Sequence, residues 1–282
     1  MKIFVVGGDL RQLKCAEYLE KKGFETVIFG FGAEYCENKN VSLNPKKDLM
    51  NSDCVLLPLP VTYDNISINT PLYEKKIPLE IIYENISDKT IVFGGMLNDN
   101  VKSGLSGKSV YDYAKNEEFL IKNAMITSEG AFDIIFSELP ISVFGSKFLV
   151  AGYGRIGKIV AKTAKTLGAD VYVSARKTSD LTWIETNGMK PLRYSNLKNE
   201  IFKFDIIVNT VPVRIFDSGI IENIKKDALY VDLASIPGGC DFSDMKTYGI
   251  KAIHALALPG KTAPYSSGKI ISDTVINMLN KE

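Results

Sequence analysis

Residues 147–176 constrain the fold most, because they read as a buried strand, a glycine-rich turn, an amphipathic helix and a second buried strand. The turn has the spacing Gly-x-Gly-x-x-Gly, with glycines at Gly152, Gly154 and Gly157. In such a unit the first glycine permits a tight turn, the second lets the backbone approach a pyrophosphate, and the third lets the helix pack against the strand. The helix N-terminus offers free N–H groups to the phosphates. The segment predicts a Rossmann-type dinucleotide site, the alternative being a structural glycine turn without a ligand.

The end of the second strand indicates which nicotinamide cofactor the site would take. NAD sites usually place Asp or Glu there to bind the ribose 2′-OH. This chain has Ser174, Arg176 and Lys177 instead. Hydroxyl and cationic groups can hold a 2′-phosphate that a carboxylate would repel. We therefore predict NADP, with NAD also open; the alternative is that Arg176 and Lys177 belong to an ordinary solvated loop.

Strands and helices alternate through the rest of the chain, which predicts an α/β protein with two Rossmann-like, doubly wound parallel sheets and a cleft between their domains. Residues 1–125 are assigned to a flavodoxin- or Rossmann-like domain on the substrate side, and residues 126–266 to the NAD(P)-binding domain. The C-terminal helix, 267–282, is expected to return to the first domain. Two separate helices, 116–123 and 128–139, are expected to lead into the second domain.

Charge, hydropathy and cysteine content exclude several classes of function. The 34 lysines and arginines balance 33 aspartates and glutamates, so no strong field favours nucleic acid or an anionic membrane. No apolar run approaches the roughly 20 residues that span a bilayer, and the N-terminus enters a strand without the layout of a signal peptide. The four cysteines form no close pairs, so we expect neither a metal site nor disulfides. A cytoplasmic location is predicted.

Loops that follow the strands of the second domain are expected beside the cofactor, because sites in such sheets form outside the carboxyl ends of the strands. The loop after the strand at 205–209 should pass the ribose, and the loop after 230–233 should lie near the nicotinamide. The residues assigned to cofactor binding are Gly152, Gly154, Arg155, Ile156, Gly157, Ser174, Arg176, Lys177, Asn209, Thr210, Val211, Pro212, Asp232, Ala234 and Ser235.

Arg11 is the candidate for binding a substrate carboxylate, because it lies one turn into the first helix at the edge of the expected cleft. The alternative is that Asp9 caps the helix and Arg11 is solvated. His254 is the sole histidine and lies in an apolar strand without an obvious carboxylate partner, so we assign it a structural role. That assignment disfavours ordinary alcohol or hydroxy-acid oxidation.

Several motifs occur in an order and spacing that are more specific than the glycine turn alone. Together they resemble the A subunits of dipicolinate synthase from endospore-forming bacteria, nearly from end to end. The segments that carry the resemblance are 7–11, 127–131, 152–157, 174–176, 209–212, 232–239 and 258–264.

The resemblance implies the NADP-dependent oxidation of dihydrodipicolinate to dipicolinate, pyridine-2,6-dicarboxylate, in the mother cell of a sporulating bacterium. It also implies a second, flavoprotein-like B subunit of dipicolinate synthase, with this chain a homo-oligomer inside a hetero-oligomer. A dicarboxylate substrate needs cationic or N–H-rich contacts, which Arg11 and either Ser128 or the amides of the Gly7–Gly8 turn would supply. Glu129, Asp9 or water would accept the proton.

Two other functions remain open on the sequence. One is an amino- or hydroxy-acid dehydrogenase of similar two-domain build, resembling alanine dehydrogenase, which would need His254 or a lysine for its chemistry. The other is a regulatory subunit that binds NADP and does no chemistry itself.

Overall fold

The computed structural model describes residues 1–280 and divides into two compact α/β units. Unit 1 contains residues 1–123 together with the chain from 263 onward, and unit 2 contains residues 124–262. The sequence predicts boundaries a few residues later, at 125/126 and 266/267. Residues 281 and 282, assigned above to the C-terminal helix, lie outside the described residues.

Each strand and helix is bounded as follows. The strands are β1 (Lys2–Val6), β2 (Glu25–Phe29), β3 (Cys54–Leu56), β4 (Ile91–Gly94), β5 (Ser109–Asp112), β6 (Lys147–Ala151), β7 (Asp170–Ala175), β8 (Lys190–Arg193), β9 (Ile206–Asn209), β10 (Leu229–Asp232) and β11 (Lys251–His254). The helices are α1 (Leu10–Lys21), α2 (Pro45–Met50), α3 (Glu80–Asn85), α4 (Asp99–Gly104), α5 (Glu117–Glu138), α6 (Arg155–Thr166), α7 (Thr178–Thr186), α8 (Leu197–Glu200), α9 (Ser218–Ile221), α10 (Phe242–Thr247), α11 (Leu258–Thr262) and α12 (Pro264–Leu279).

Unit 1 is built on a parallel sheet in the order β2-β1-β3-β4-β5. Successive side chains of a strand point to opposite faces, so β1 contributes to two cores. Phe4 and Val6 pack on one face with residues of α2, α3 and α4, while Ile3 and Val5 pack on the other with α1 and α12. A sheet with both faces covered explains why its strands read as continuous apolar runs.

Unit 2 is built on a second parallel sheet in the order β11-β10-β9-β6-β7-β8. The strand order reverses between β6 and β9, where Ala151 lies opposite Asn209. Ligands of open α/β sheets bind outside the carboxyl ends of the strands at such a reversal. The two parallel-sheet domains confirm the fold class expected from the sequence.

Helix α5 replaces the two helices expected at 116–123 and 128–139. The intervening residues 124–127 contain neither glycine nor proline, so nothing in the chain ends the helix there. Gly130 lies inside α5 because a Cβ at that position would contact Thr262 and would lie 3.1 Å from the Cβ of Leu258. The glycine weakens the helix but allows close packing on α11.

Strand β8 is not predicted by the sequence pattern, which indicates no strand between β7 and β9. It has only four residues and includes Pro191, which lacks an N–H for the sheet. Its place at the edge of the sheet makes this proline tolerable. Helix α12 begins at Pro264, earlier than the expected residue 267, because proline suits the first turn of a helix.

Across residues 1–280 no helix has the length and apolarity needed to cross a bilayer. The same part of the chain holds no group of three or more histidine, cysteine, aspartate or glutamate side chains suited to a metal ion.

Candidate functional site

The glycine turn after β6 has the geometry that a dinucleotide site requires. Gly152 has a φ of +101°, a conformation that side chains rarely adopt. A Cβ on Gly157 would overlap the carbonyl oxygen of Gly152, so only glycine lets α6 approach the turn this closely. A Cβ on Gly154 would meet no atom within 4 Å, which means that the side of the turn at Gly154 is open to a ligand.

The N-terminus of α6 has the features of an anion-binding site. Gly154 is its N-cap residue and supplies no side-chain hydrogen bond, and the first turn contains no acidic residue. Gly154 and Arg155 are exposed, Ile156 is half-buried and Gly157 is buried. The backbone N–H groups and the positive end of the helix dipole are therefore available to an anion.

The side chains of Asn209 and Thr210 hold the turn at the end of β9 through hydrogen bonds to the backbone. The Asn209 side chain is fully buried, with Nδ2 donating to Val211 O at 3.0 Å and Oδ1 accepting from Val211 N at 3.1 Å. Thr210 Oγ1 donates to Ala151 O at 2.9 Å, which ties this turn to the strand before the glycines. Pro212, at the outer end of the turn, is exposed. The Asn209 side chain thus holds the loop in shape.

Asp232 joins the ends of β9 and β10 through a fully buried carboxylate. Its Oδ1 accepts hydrogen bonds from Asn209 Nδ2 at 2.8 Å and Ala234 N at 3.0 Å. Its Oδ2 accepts from Tyr230 OH at 3.0 Å and Gly239 N at 2.8 Å. All of the strong lone-pair directions are occupied by protein donors. Asp232 therefore positions the loop from Ala234, which is buried, to the exposed Ser235 and on to Gly239.

The end of β7 presents two cations without ion pairs within residues 1–280, namely Arg176 and Lys177, both exposed. Lys177 is the N-cap residue of α7, and no side chain caps the N–H groups of the first turn of that helix. Ser174 differs from the sequence expectation, because it is fully buried and its Oγ has no hydrogen-bond partner in the described part of the chain. The end of β7 is therefore basic, and the Ser174 hydroxyl is not at its surface.

Tyr194 is a neighbour of this site that the sequence pattern does not indicate. β7 and β8 pair in the register Ala175↔Arg193, so Tyr194 follows β8 beside Arg176. Burial raises the pKa of the Tyr194 phenol, while the nearby Arg176 cation and the Ser174 hydroxyl lower it. Finding this residue requires recognition of β8, whose short sequence gives little signal.

The imidazole of His254 contacts a backbone carbonyl oxygen and an aromatic ring. Its Nε2 is 2.9 Å from Ala234 O, and its ring stacks on Phe242 at a centroid distance of 5.1 Å and an interplanar angle of 15°. Within residues 1–280 no carboxylate forms an ion pair or hydrogen bond with its ring.

In unit 1, Asp9 and Arg11 form a local ion pair at the carboxyl end of β1. Asp9 caps α1 by accepting from Arg11 N at 3.0 Å, and its carboxylate also accepts from Arg11 Nε at 2.9 Å and Nη2 at 2.8 Å. Arg11 Nη2 further donates to Leu59 O at 2.9 Å. The two N–H groups of Nη1 have no partner among the described residues, so the guanidinium is oriented and keeps donors for an anion.

The amides of the Gly7–Gly8 turn cannot serve as the carboxylate ligands suggested from the sequence. Gly7 N donates to Phe29 O at 2.8 Å, and Gly8 N donates to Asn69 O at 2.8 Å. The turn therefore uses its N–H groups to join neighbouring segments of unit 1. The sequence does not indicate this, because residues 68–70 are remote in the chain.

Ser128 and Glu129 are adjacent on α5 but differ in environment. Ser128 is buried, and its Oγ lacks a hydrogen-bond partner within residues 1–280. Glu129 is exposed. An exposed carboxylate can exchange protons with water, whereas the buried hydroxyl is available for a hydrogen bond that the described chain does not supply.

Comparison with known proteins gives two family matches that together cover most of the chain. Residues 2–113 match the N-terminal domain of the A subunit of dipicolinate synthase, and residues 137–234 match the NAD-binding domain of D-isomer specific 2-hydroxyacid dehydrogenases. The dipicolinate synthase A subunit of Bacillus subtilis (strain 168) is 30% identical over 294 residues, covering 99% of this chain and 96% of that protein.

A solved structure and a shorter relative add to this comparison. The crystal structure of the dipicolinate synthase A subunit from Bacillus halodurans has a TM-score of 0.90 and 26% identity, covering 99% of this chain and 97% of that one. Shikimate dehydrogenase (NADP(+)) of Methanococcus vannielii is 35% identical over 78 residues, which are 25% of this chain and 28% of that protein.

Proposed function

The chain belongs to the family of dipicolinate synthase A subunits, and on that premise we propose that it catalyses the NADP-dependent oxidation of dihydrodipicolinate to dipicolinate during sporulation. The substrate ring would lose a hydride and a proton and become aromatic. The products would be dipicolinate, NADPH and a proton. Aromatisation supplies driving force, so the chain mainly has to position two reactants and provide a route for the proton.

The observation that carries the proposal is the open glycine turn at the strand reversal of unit 2, with an uncapped helix behind it. Gly152, Gly154 and the first N–H groups of α6 would hold the pyrophosphate. The buried Asn209–Asp232 pair would keep the two neighbouring loops in place beside it. A nicotinamide bound there would supply the hydride acceptor.

NADP is preferred to NAD on the charges at the end of β7. Arg176 and Lys177 are exposed cations at an uncapped helix N-terminus, which suits a 2′-phosphate. The name of the Methanococcus vannielii relative, an NADP(+)-dependent shikimate dehydrogenase, supports the same choice for the short stretch that it matches.

Arg11 would bind a carboxylate of the dicarboxylate substrate through its Nη1 donors. Asp9 and Leu59 O hold the guanidinium in one orientation, so Asp9 is better placed to position Arg11 than to accept the proton. Ser128 would contribute a hydrogen bond. Glu129, as the exposed carboxylate, or water would take the proton.

Replacing Arg11 with alanine should raise the KM for dihydrodipicolinate roughly 30- to 150-fold, because a charge-assisted hydrogen bond to a carboxylate is worth about 2–3 kcal/mol. The Kd for NADPH should stay within about two-fold of the wild-type value, since Arg11 belongs neither to the glycine turn nor to the loops assigned to the cofactor. Dipicolinate formation and nicotinamide fluorescence measure the two quantities. Lys14→Ala, one turn further along α1, is the control. Equal losses in both quantities, with a lower melting temperature, would show that Arg11 acts in folding.

The assay must be run with and without the flavoprotein-like B subunit, because the Bacillus subtilis relative is named as one subunit of a synthase and so implies an assembly of several subunits. We propose that the chain acts as a homo-oligomer within such a hetero-oligomer, in the mother-cell cytoplasm. Turnover that needs both subunits supports the proposal. A chain that binds NADPH and never turns over, even with its partner subunit, is a regulatory subunit instead.

The alanine-dehydrogenase-like alternative is tested at His254. His254→Ala should keep kcat within about three-fold of wild type and lower the free energy of unfolding by about 1–2 kcal/mol, since it removes a ring stack and one hydrogen bond. Phe242→Ala, which removes the stack and keeps the imidazole, should show a similar pattern. A loss of kcat above roughly 100-fold in His254→Ala alone, at unchanged stability, would make the imidazole a catalytic group.

A further inference from the structure

We propose that Tyr194 determines cofactor specificity by donating a hydrogen bond from its phenol to the 2′-phosphate of NADP. This inference rests on the proposed NADP dependence and adds to it a residue outside the β7 loop. It assigns a binding role to the residue that follows edge strand β8.

The sheet register brings Tyr194 to the phosphate-binding edge. Ser174 pairs with Leu192 and Ala175 pairs with Arg193, so the next residues on the two strands, Arg176 and Tyr194, leave the sheet side by side. Parallel strands end at the same edge, where the ribose of a dinucleotide lies in this fold. Tyr194 is therefore next to the cation that would attract the phosphate.

Burial decides which hydroxyl of this edge can reach a ligand. Ser174 is fully enclosed, whereas Tyr194 is half-buried. The Ser174 hydroxyl is close enough to lower the pKa of Tyr194, although no hydrogen bond of ordinary geometry joins the two. Of the two residues that carry these hydroxyls, Tyr194 is therefore the one that is partly open to solvent.

The charges and the protonation state at the end of β7 also suit a hydrogen bond from Tyr194 to a phosphate. Burial keeps the pKa of Tyr194 above its ordinary value, so the phenol is protonated at neutral pH and can donate. Arg176 and Lys177 supply positive charge, and the first turn of α7 has no side-chain cap. Asp180, in that first turn, is the opposing charge, since it raises the pKa of Tyr194.

The test compares two small probes that differ only in the 2′-phosphate, namely 2′,5′-ADP and 5′-AMP. Tyr194→Phe should weaken binding of 2′,5′-ADP about ten-fold, as expected for a hydrogen bond to a charged group, and leave 5′-AMP within about two-fold. Tyr172→Phe, on β7 of the same sheet, is the matched control and should change neither. Asp180→Asn should tighten 2′,5′-ADP and leave 5′-AMP unchanged. Calorimetric titration measures all of these affinities.

The outcomes separate this inference from the proposal beneath it. In one outcome the wild-type protein prefers 2′,5′-ADP, Arg176→Ala removes this preference and Tyr194→Phe keeps it. That outcome overturns the role of Tyr194 and leaves NADP dependence standing. If Tyr194→Phe weakens both probes equally, Tyr194 supports the adenosine or the fold, and the inference again fails. If wild-type protein binds both probes alike, the 2′-phosphate site itself is wrong and both proposals fall.

Discussion

Gly157→Ala is expected to reduce binding of NADPH and NADH by more than about 100-fold and to lower the free energy of unfolding by roughly 2–4 kcal/mol. The added methyl group would overlap the carbonyl oxygen of Gly152. Because that oxygen belongs to the backbone of the phosphate-binding turn, it cannot rotate away as a side chain would. Either α6 moves off β6 or the turn changes shape, and both remove the pyrophosphate site. Nicotinamide fluorescence and urea denaturation measure the two effects.

Gly154→Ala is the matched control, since its methyl group would meet no atom within 4 Å and its φ of −79° suits alanine. Its stability should change by less than about 0.5 kcal/mol. Its affinity for NADPH should nevertheless fall, because the methyl group would occupy the side that a pyrophosphate approaches. Wild-type affinity in Gly157→Ala would refute the assigned turn geometry, and wild-type affinity in Gly154→Ala would refute the direction of ligand approach.

Asp232→Asn is expected to lower the free energy of unfolding by about 2–4 kcal/mol, because it leaves buried donors facing an amide N–H. The wild-type carboxylate accepts from Asn209 Nδ2, Ala234 N, Tyr230 OH and Gly239 N. An asparagine side chain has only one oxygen, so the two donors that face its NH2 group lose their acceptor. NADPH affinity should fall as well, since the same bonds hold the loops after β9 and β10. Thermal and chemical denaturation measure the first effect, and fluorescence titration the second.

The control for Asp232→Asn is Asp241→Asn. Asp241 is the half-buried N-cap of α10 and accepts from Ser243 N, so its replacement should cost no more than about 1 kcal/mol and leave cofactor binding unchanged. Equal effects of the two substitutions would contradict the proposal that Asp232 holds the loops after β9 and β10 in place.

Local sequence signals account for much of the fold. β1 is one example, because the run of apolar residues that ends at Gly7–Gly8 marks both the strand and its end. The glycine spacing at 152–157 likewise specifies a turn whose steric demands can be read from the chain. These features depend on neighbours within a few residues.

The features that the sequence does not reveal depend on residues that are far apart in the chain. Asn209 bonds to Asp232, 23 positions away, and Arg11 bonds to Leu59 O, 48 positions away. No local pattern indicates that the side chains of Asn209 and Asp232 hydrogen-bond to each other at the buried edge of the sheet. The sequence does not indicate the position of Tyr194 for a related reason, because β8 is recognisable only through its pairing with β7.

The return of α12 to unit 1 has a consequence for the order in which the chain folds during synthesis. Ile271 and Val275 of α12 are fully buried in the core that includes α1, and Gly268 approaches so closely that a Cβ there would lie 2.6 Å from Arg11 O. Unit 2, a continuous segment, leaves the ribosome whole before α12 does. Unit 1 therefore begins synthesis first but completes its core last, because the part of that core covered by α12 stays open in the nascent chain until this helix emerges.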